Sequence, residues 1–301
     1  MLRLPLGCHC KDPHMPARLL KVLSICLGFA LMLGACSRID LAYRNLDRLV
    51  PWSLGDYLDM NREQKTLLDD RLRQHLAWHC QTQLPGYLDW LDRLRTMVAD
   101  NQVTDQALQQ RTEEAREAIG RVAAEITPSA TELLQGMSDA QVGEMRDAFR
   151  DDIAERRKEY VDTPLPRQIS ERAERMEKRL KPWFGELTET QRQRVGAWSR
   201  ALGDQNSEWI RNRAHWQQQL LLAVEQRHES GFPARVATLL QNKESLWTAD
   251  YRRAFQNTEQ QARSLVVDLM QQSTPAQRQV LLDRLTKVRS DFSALKCLRG
   301  A

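Results

Sequence analysis

The chain has 301 residues and a formal net charge of +4, length enough for one large domain or two small ones. Of its 44 basic and 40 acidic residues, Arg3, Lys11, Arg18, Lys21 and Asp12 lie in residues 1–35, leaving 40 against 39 in the remainder. That balance, with signs alternating through Glu171, Arg172, Glu174, Arg175, Glu177 and Lys178, excludes the clustered basic footprint of a nucleic-acid binder and reads as solvated, ion-paired helix.

The first fourteen residues have no periodicity, and the metal-like Cys8-His9-Cys10 lies ahead of Met15, which starts a targeting signal of ordinary length. Arg18 and Lys21 then precede an uncharged, mostly apolar run from Val22 to Ala35. Fourteen residues are too few to span ~30 Å of hydrocarbon, which takes about 20. The run ends in Leu33-Gly34-Ala35-Cys36, which resembles the lipobox of bacterial lipoproteins. The resemblance implies residues 1–35 as a signal peptide, cleavage before Cys36, acylation of its thiol and new amine, and a membrane anchor. Ser37, where inner-membrane retention often uses Asp, favours the outer membrane, facing the periplasm. Of the six cysteines, Cys80 and Cys297 alone then remain free. In an oxidising compartment they form a disulfide, the alternative being two buried thiols.

From Cys36 onward, helical periodicity dominates. Ile39, Ala42, Leu46, Leu49 and Val50 make a short amphipathic helix that Pro51-Trp52 breaks. A second helix runs from Asn61 to about Gln83, with Pro85-Gly86 as punctuation, and Tyr87 to Val98 continues the period. Further helices are expected over 104–126, closed by Thr127-Pro128, then at 130–135 and 138–160. Thr163-Pro164-Leu165-Pro166 is the clearest linker, so a sub-boundary falls near 162–167 in a body spanning 36–301. After a helix over 167–180 halted by Lys181-Pro182, Thr188–His228 reads as one helix of about 40 residues, roughly 60 Å long. Helices at 233–243, 246–271 and 275–296 complete an all-α, elongated multi-helix bundle.

Four helices open on one pattern: Asn61-x-x-Gln64, Ser138-x-x-Gln141, Thr188-x-x-Gln191 and Thr274-x-x-Gln277. These are capping boxes, and Met60, Met137 and Leu187 sit where hydrophobic staples would. Leu187-Thr188-x-x-Gln191 also resembles the Leu-Thr-x-x-Gln motif of Spy-like periplasmic chaperones, helical proteins that cradle unfolded clients. Tyr43, Asn45, Leu46, Asp47, Pro51-Trp52, Asp56-Tyr57, Trp78-His79 and Leu84-Pro85-x-Tyr87 together are similar to a gammaproteobacterial lipoprotein family of unknown function, similarly sized and helical. That resemblance implies class and compartment, and carries no catalytic residues.

Chemistry is sparse. His75 and His79 are four apart with Cys80 alongside, which suits a transition metal only with further ligands; packing at a helix contact is the simpler reading. Ser293-x-x-Lys296 has the spacing of a penicillin-recognising nucleophile pair without its companion motifs. The carboxylate pairs Asp69-Asp70 and Asp151-Asp152 read as solvent faces, and no motif calls for a cofactor. Trp198, Leu202, Trp209, Trp216 and Leu220 form one stripe, either helix-packing core or a groove for a partner or apolar ligand. The expectation is a non-catalytic envelope adaptor, anchored at Cys36 and binding an envelope protein. A chaperone-like binder of unfolded envelope proteins is the alternative, and an envelope hydrolase a third.

Overall fold

The computed structural model describes Tyr43, residues 45–295 and Cys297. The signal, Met15, the lipobox with Cys36, and Lys296 of the Ser293-x-x-Lys296 pair lie outside the described residues. Within them every regular element is helical, as expected. The α-helices are α1 (Leu46–Gly55), α2 (Arg62–Trp78), α3 (Leu84–Ala99), α4 (Asp105–Gln135), α5 (Asp139–Tyr160), α6 (Leu165–Phe184), α7 (Glu189–Ala201), α8 (Gln205–Glu225), α9 (Phe232–Gln241), α10 (Ala249–Gln271) and α11 (Pro275–Ser293). None is long and apolar enough to cross a membrane.

All four capping boxes form, each with both reciprocal hydrogen bonds. Their glutamines do more than cap. Gln64 and Gln141 exchange amide hydrogen bonds of 3.2 and 2.7 Å, and Gln191 and Gln277 do the same at 3.1 and 2.8 Å. The starts of α2 and α5 are thereby clasped together, as are those of α7 and α11. Glutamine suits this position because each amide both donates and accepts; two glutamates would repel.

Each clasp belongs to one of two hydrophobic cores. Met60, Met137, Val142, Met145, Leu220 and Phe232 are buried in the first; Leu187, Val195, Trp198, Leu269, Leu281 and Leu285 in the second. The first core draws on residues 58–149 and 220–239 and the second on 91–98 and 184–285, so both use chain from either side of 162–167.

The prolines expected to punctuate helices do not. Pro51, Pro128 and Pro182 lie inside α1, α4 and α6. An interior proline costs about 3 kcal/mol. In α4 the continuation past Pro128 buries Leu133 and Leu134 in the first core, about 1.5–3 kcal/mol each, so packing outweighs the break. At Pro85 a π-helical turn, His79–Gln83, joins α2 to α3, giving a continuous helical run of 38 residues from Arg62 to Ala99. A helix of about 40 residues therefore exists, in a different place from the one expected.

The stretch 188–228 is broken instead, at Gly203 with φ +53°. Arg172 of α6, buried, donates to the carbonyls of Ser199 at 3.0 Å and Gly203 at 3.1 Å, satisfying acceptors that the end of α7 leaves open. A Cβ at Gly203 would meet nothing within 4 Å, so Gly203→Ala isolates backbone strain. It is expected to cost about 1–2 kcal/mol, read as a lower urea midpoint with unchanged slope.

Candidate functional site

The sequence-predicted residues fall in three places. Cys80 is bridged to Cys297, with Cα atoms 6.2 Å apart, and packs with Leu84 and Leu295. The bridge leaves the π-helical turn, where His79 lies between two tyrosines: Nδ1 is 3.2 Å from the Tyr43 hydroxyl and Nε2 3.2 Å from that of Tyr87. Burial lowers the pKa of His79 and raises those of both tyrosines, so the trio is neutral. His75 turns elsewhere, its Nε2 2.9 Å from Ser129 and its Nδ1 3.3 Å from Glu125. The carboxylate only accepts, which sets the Nδ1 proton. Among the described residues no group of three His, Cys, Asp or Glu is arranged to hold a metal ion. Ser293 donates to the Ser290 carbonyl of its own helix at 2.9 Å.

The tryptophan stripe is divided by the Gly203 corner. Trp198 and Leu202 are buried in the second core, and Leu220 in the first. Trp209 is half-buried, edge-on to Tyr160 at 5.8 Å with Arg156 over its ring. Trp216, also half-buried, donates from its indole to the Leu239 carbonyl at 3.1 Å.

Trp216 borders the most distinctive recess, a cavity of about 470 Å³ between α1, α2, α4, α5, α8 and α9. Leu54, Leu68, Leu133, Phe149, Trp216 and Leu240 each reach it from a different helix. The wall is apolar apart from a few groups, Tyr57, Arg71, His75, Ser129, Arg213 and Gln217. Across Trp216 lies a second, more open cleft of about 680 Å³ that Trp209, Trp247, Tyr251 and Phe255 also line. Trp247, Tyr251 and Phe255 stack within 4.6–6.0 Å of one another. Tyr251 and Phe255 lie four apart on α10, and Trp247 joins them from the extended backbone just before it.

Asp152 accepts from three of these groups, Tyr57, Arg213 and Gln217, and here the reading of Asp151-Asp152 as a solvent face is corrected. Asp151 is exposed, but the Asp152 side chain is only 9% exposed. Its Oδ1 accepts from Tyr57 at 3.0 Å and Arg156 at 2.8 Å, and its Oδ2 from Arg213 at 2.6 Å and Gln217 at 3.0 Å. Burial by itself would raise the pKa of Asp152. The hydrogen bonds from Arg213, Gln217 and Arg156 outweigh it and hold the group at about 2. A charged heptapeptide, Arg150-Asp151-Asp152-Ile153-Ala154-Glu155-Arg156, carries no local sign that one carboxylate turns inward. The partners on α8 lie about 60 residues away.

No curated protein and no solved structure matches the chain detectably. A family match spans residues 56–252 and so takes in the Asp152 cluster and all of the cavity wall except Val50 and Leu54 of α1. By that match, over more than half its length, the chain belongs to a family of unknown function, DUF6279.

Proposed function

We propose that this protein is a lipid-anchored, non-catalytic binding protein of the bacterial outer membrane, facing the periplasm, that holds an apolar ligand in the cavity of its first core. The cavity carries the reading: its volume falls in the usual range for small-molecule sites, and an apolar wall with a few polar groups is their usual lining. A carboxylate held at about 2 is a poor general base at neutral pH, which favours binding over hydrolysis. The lipobox-like segment supports the anchor, and Leu46, which opens α1, follows Cys36 by ten residues. Leu49 and Trp52, three apart on α1, are 45% and 71% exposed, which suits a helix lying against headgroups. The aromatic cleft beside Trp216 favours a second reading, in which an apolar segment of an envelope protein docks there as on an adaptor or chaperone.

The test uses the full chain and Ala130→Phe, which fills the cavity from α4. A fluorescent fatty-acyl probe is expected to bind the wild type at one per chain, with the variant weaker by at least about tenfold. Equal binding by both overturns the cavity as the site. Cys36→Ala is expected to leave the membrane fraction; retention there overturns the anchor.

A further inference from the structure

We propose that the outer face of α1 docks on the surface of a phospholipid bilayer, and that the ligand passes between bilayer and cavity by contact, at α1. The inference rests on the anchored, cavity-binding reading above and adds the partner surface and the route. α1 is apolar on two opposite faces. Val50 and Leu54 line the cavity, whereas Leu49 and Trp52 lie about 150° round a helix of 3.6 residues per turn. Both are exposed, and Trp52 is the most exposed large apolar side chain among the described residues. A helix apolar on both sides calls for two apolar neighbours. The cavity is one, and among the described residues nothing covers the other.

Position and chemistry select lipid as that second neighbour. Leu46 follows Cys36 by ten residues, a reach of at most about 35 Å, so an anchor at Cys36 holds α1 within that distance of the bilayer. The only charges on α1, Asp47 and Arg48, have opposite signs, so its attraction to a surface is apolar. Tryptophan, apolar in body and polar at one edge, settles at headgroup level, as interfacial helices do. Docked so, α1 is a layer of about 10 Å between lipid and cavity. It is also the part of the cavity wall that moves most readily. Pro51 removes one amide from its hydrogen-bond ladder. Alone among the six cavity helices it buries no residue, and segments with few buried contacts open at the lowest free energy. Passage through water, by contrast, is slowed about fourfold by each methylene exposed on the way.

The experiment has two parts, both on the lipidated full chain. Benzoylphenylalanine is introduced at Leu49, at Trp52 or, as a control on α6, at the exposed Glu174, and crosslinked in intact cells. Phospholipid adducts are expected at 49 and 52, at least about tenfold above those at 174. Adducts at 49 and 52 with a second copy or another protein, or equal lipid adducts at all three positions, overturn the docking surface. The second part follows loading of the cavity in reconstituted vesicles that carry a fluorescent fatty-acyl probe. Leu49→Ser together with Trp52→Ser is expected to slow loading at least about tenfold and to leave equilibrium affinity unchanged. Equal rates overturn the route and leave the cavity reading standing. A wild type that takes up no probe overturns the cavity reading itself, and one found in the soluble fraction overturns the anchor.

Discussion

Replacing Cys80 and Cys297 together by serine is expected to lower stability by about 2–5 kcal/mol, the largest effect of any change considered. The bridge closes a loop with a sequence separation of 217, and in the chain-entropy account loops longer than 100 residues lie near the upper end of that range. Part of the loss would be local. Leu295, 1% exposed, and Leu84, fully buried, pack against Cys80, and without the bridge the chain after α11 is tied there by apolar contact alone. Reduction should proceed through the Cys297 sulfur, because Cys297 is exposed and Cys80 is 1% exposed. Urea titrations with and without reductant check the prediction. The wild-type midpoint should fall in reductant to that of the double variant, which should not respond; a wild type indifferent to reductant would falsify it.

Asp152→Asn is expected to cost about 3 kcal/mol. Removing one partner of a buried ion pair typically costs about 3–5 kcal/mol, and the lower end applies because Arg156 and Arg213 are 31% and 29% exposed. The amide still accepts hydrogen bonds, but two guanidinium groups lose their counter-ion. The loss should couple α5, α8 and the segment after α1, because Tyr57, Asp152, Arg156, Arg213 and Gln217 share one carboxylate. A pH dependence accompanies it. The folded pKa of about 2 lies below the ordinary 3.8, so Asp152 contributes its full stabilisation above pH 4. That contribution is lost as pH falls from about 4 to 2, and amounts to about 2 kcal/mol. Denaturant unfolding between pH 2 and 6 should show this segment in the wild type and not in Asp152→Asn. Parallel curves for the two proteins would remove Asp152 as its source.

Helix starts were the most legible part of this fold. A capping box is closed within four residues, so Asn61, Ser138, Thr188 and Thr274 could be read from the chain, and all four hold. The bridge between Cys80 and Cys297 was legible as the expected pair if Cys36 and the cysteines ahead of it belong to a lipobox-like signal. Helix ends were not: proline at 51, 128 and 182 suggested termini that packing overrides, while Gly203, unremarkable in sequence, bends the chain where Arg172 waits on another helix. The tryptophan stripe was a real helical face on each side of that bend, but the bend sends Trp198 and Trp216 into different cores.

By itself, then, the sequence determined the all-helical class, where helices begin, the disulfide partners and the lipobox-like segment ahead of the body, because each depends on neighbours in the chain or on a census of one residue type. Only the tertiary structure decided which glutamines clasp, that Asp152 turns inward while Asp151 stays in water, and that six helices leave an apolar cavity between them. Those features join residues from about 60 to about 190 positions apart, and their energies come from burial and from partners that meet only once the helices have packed.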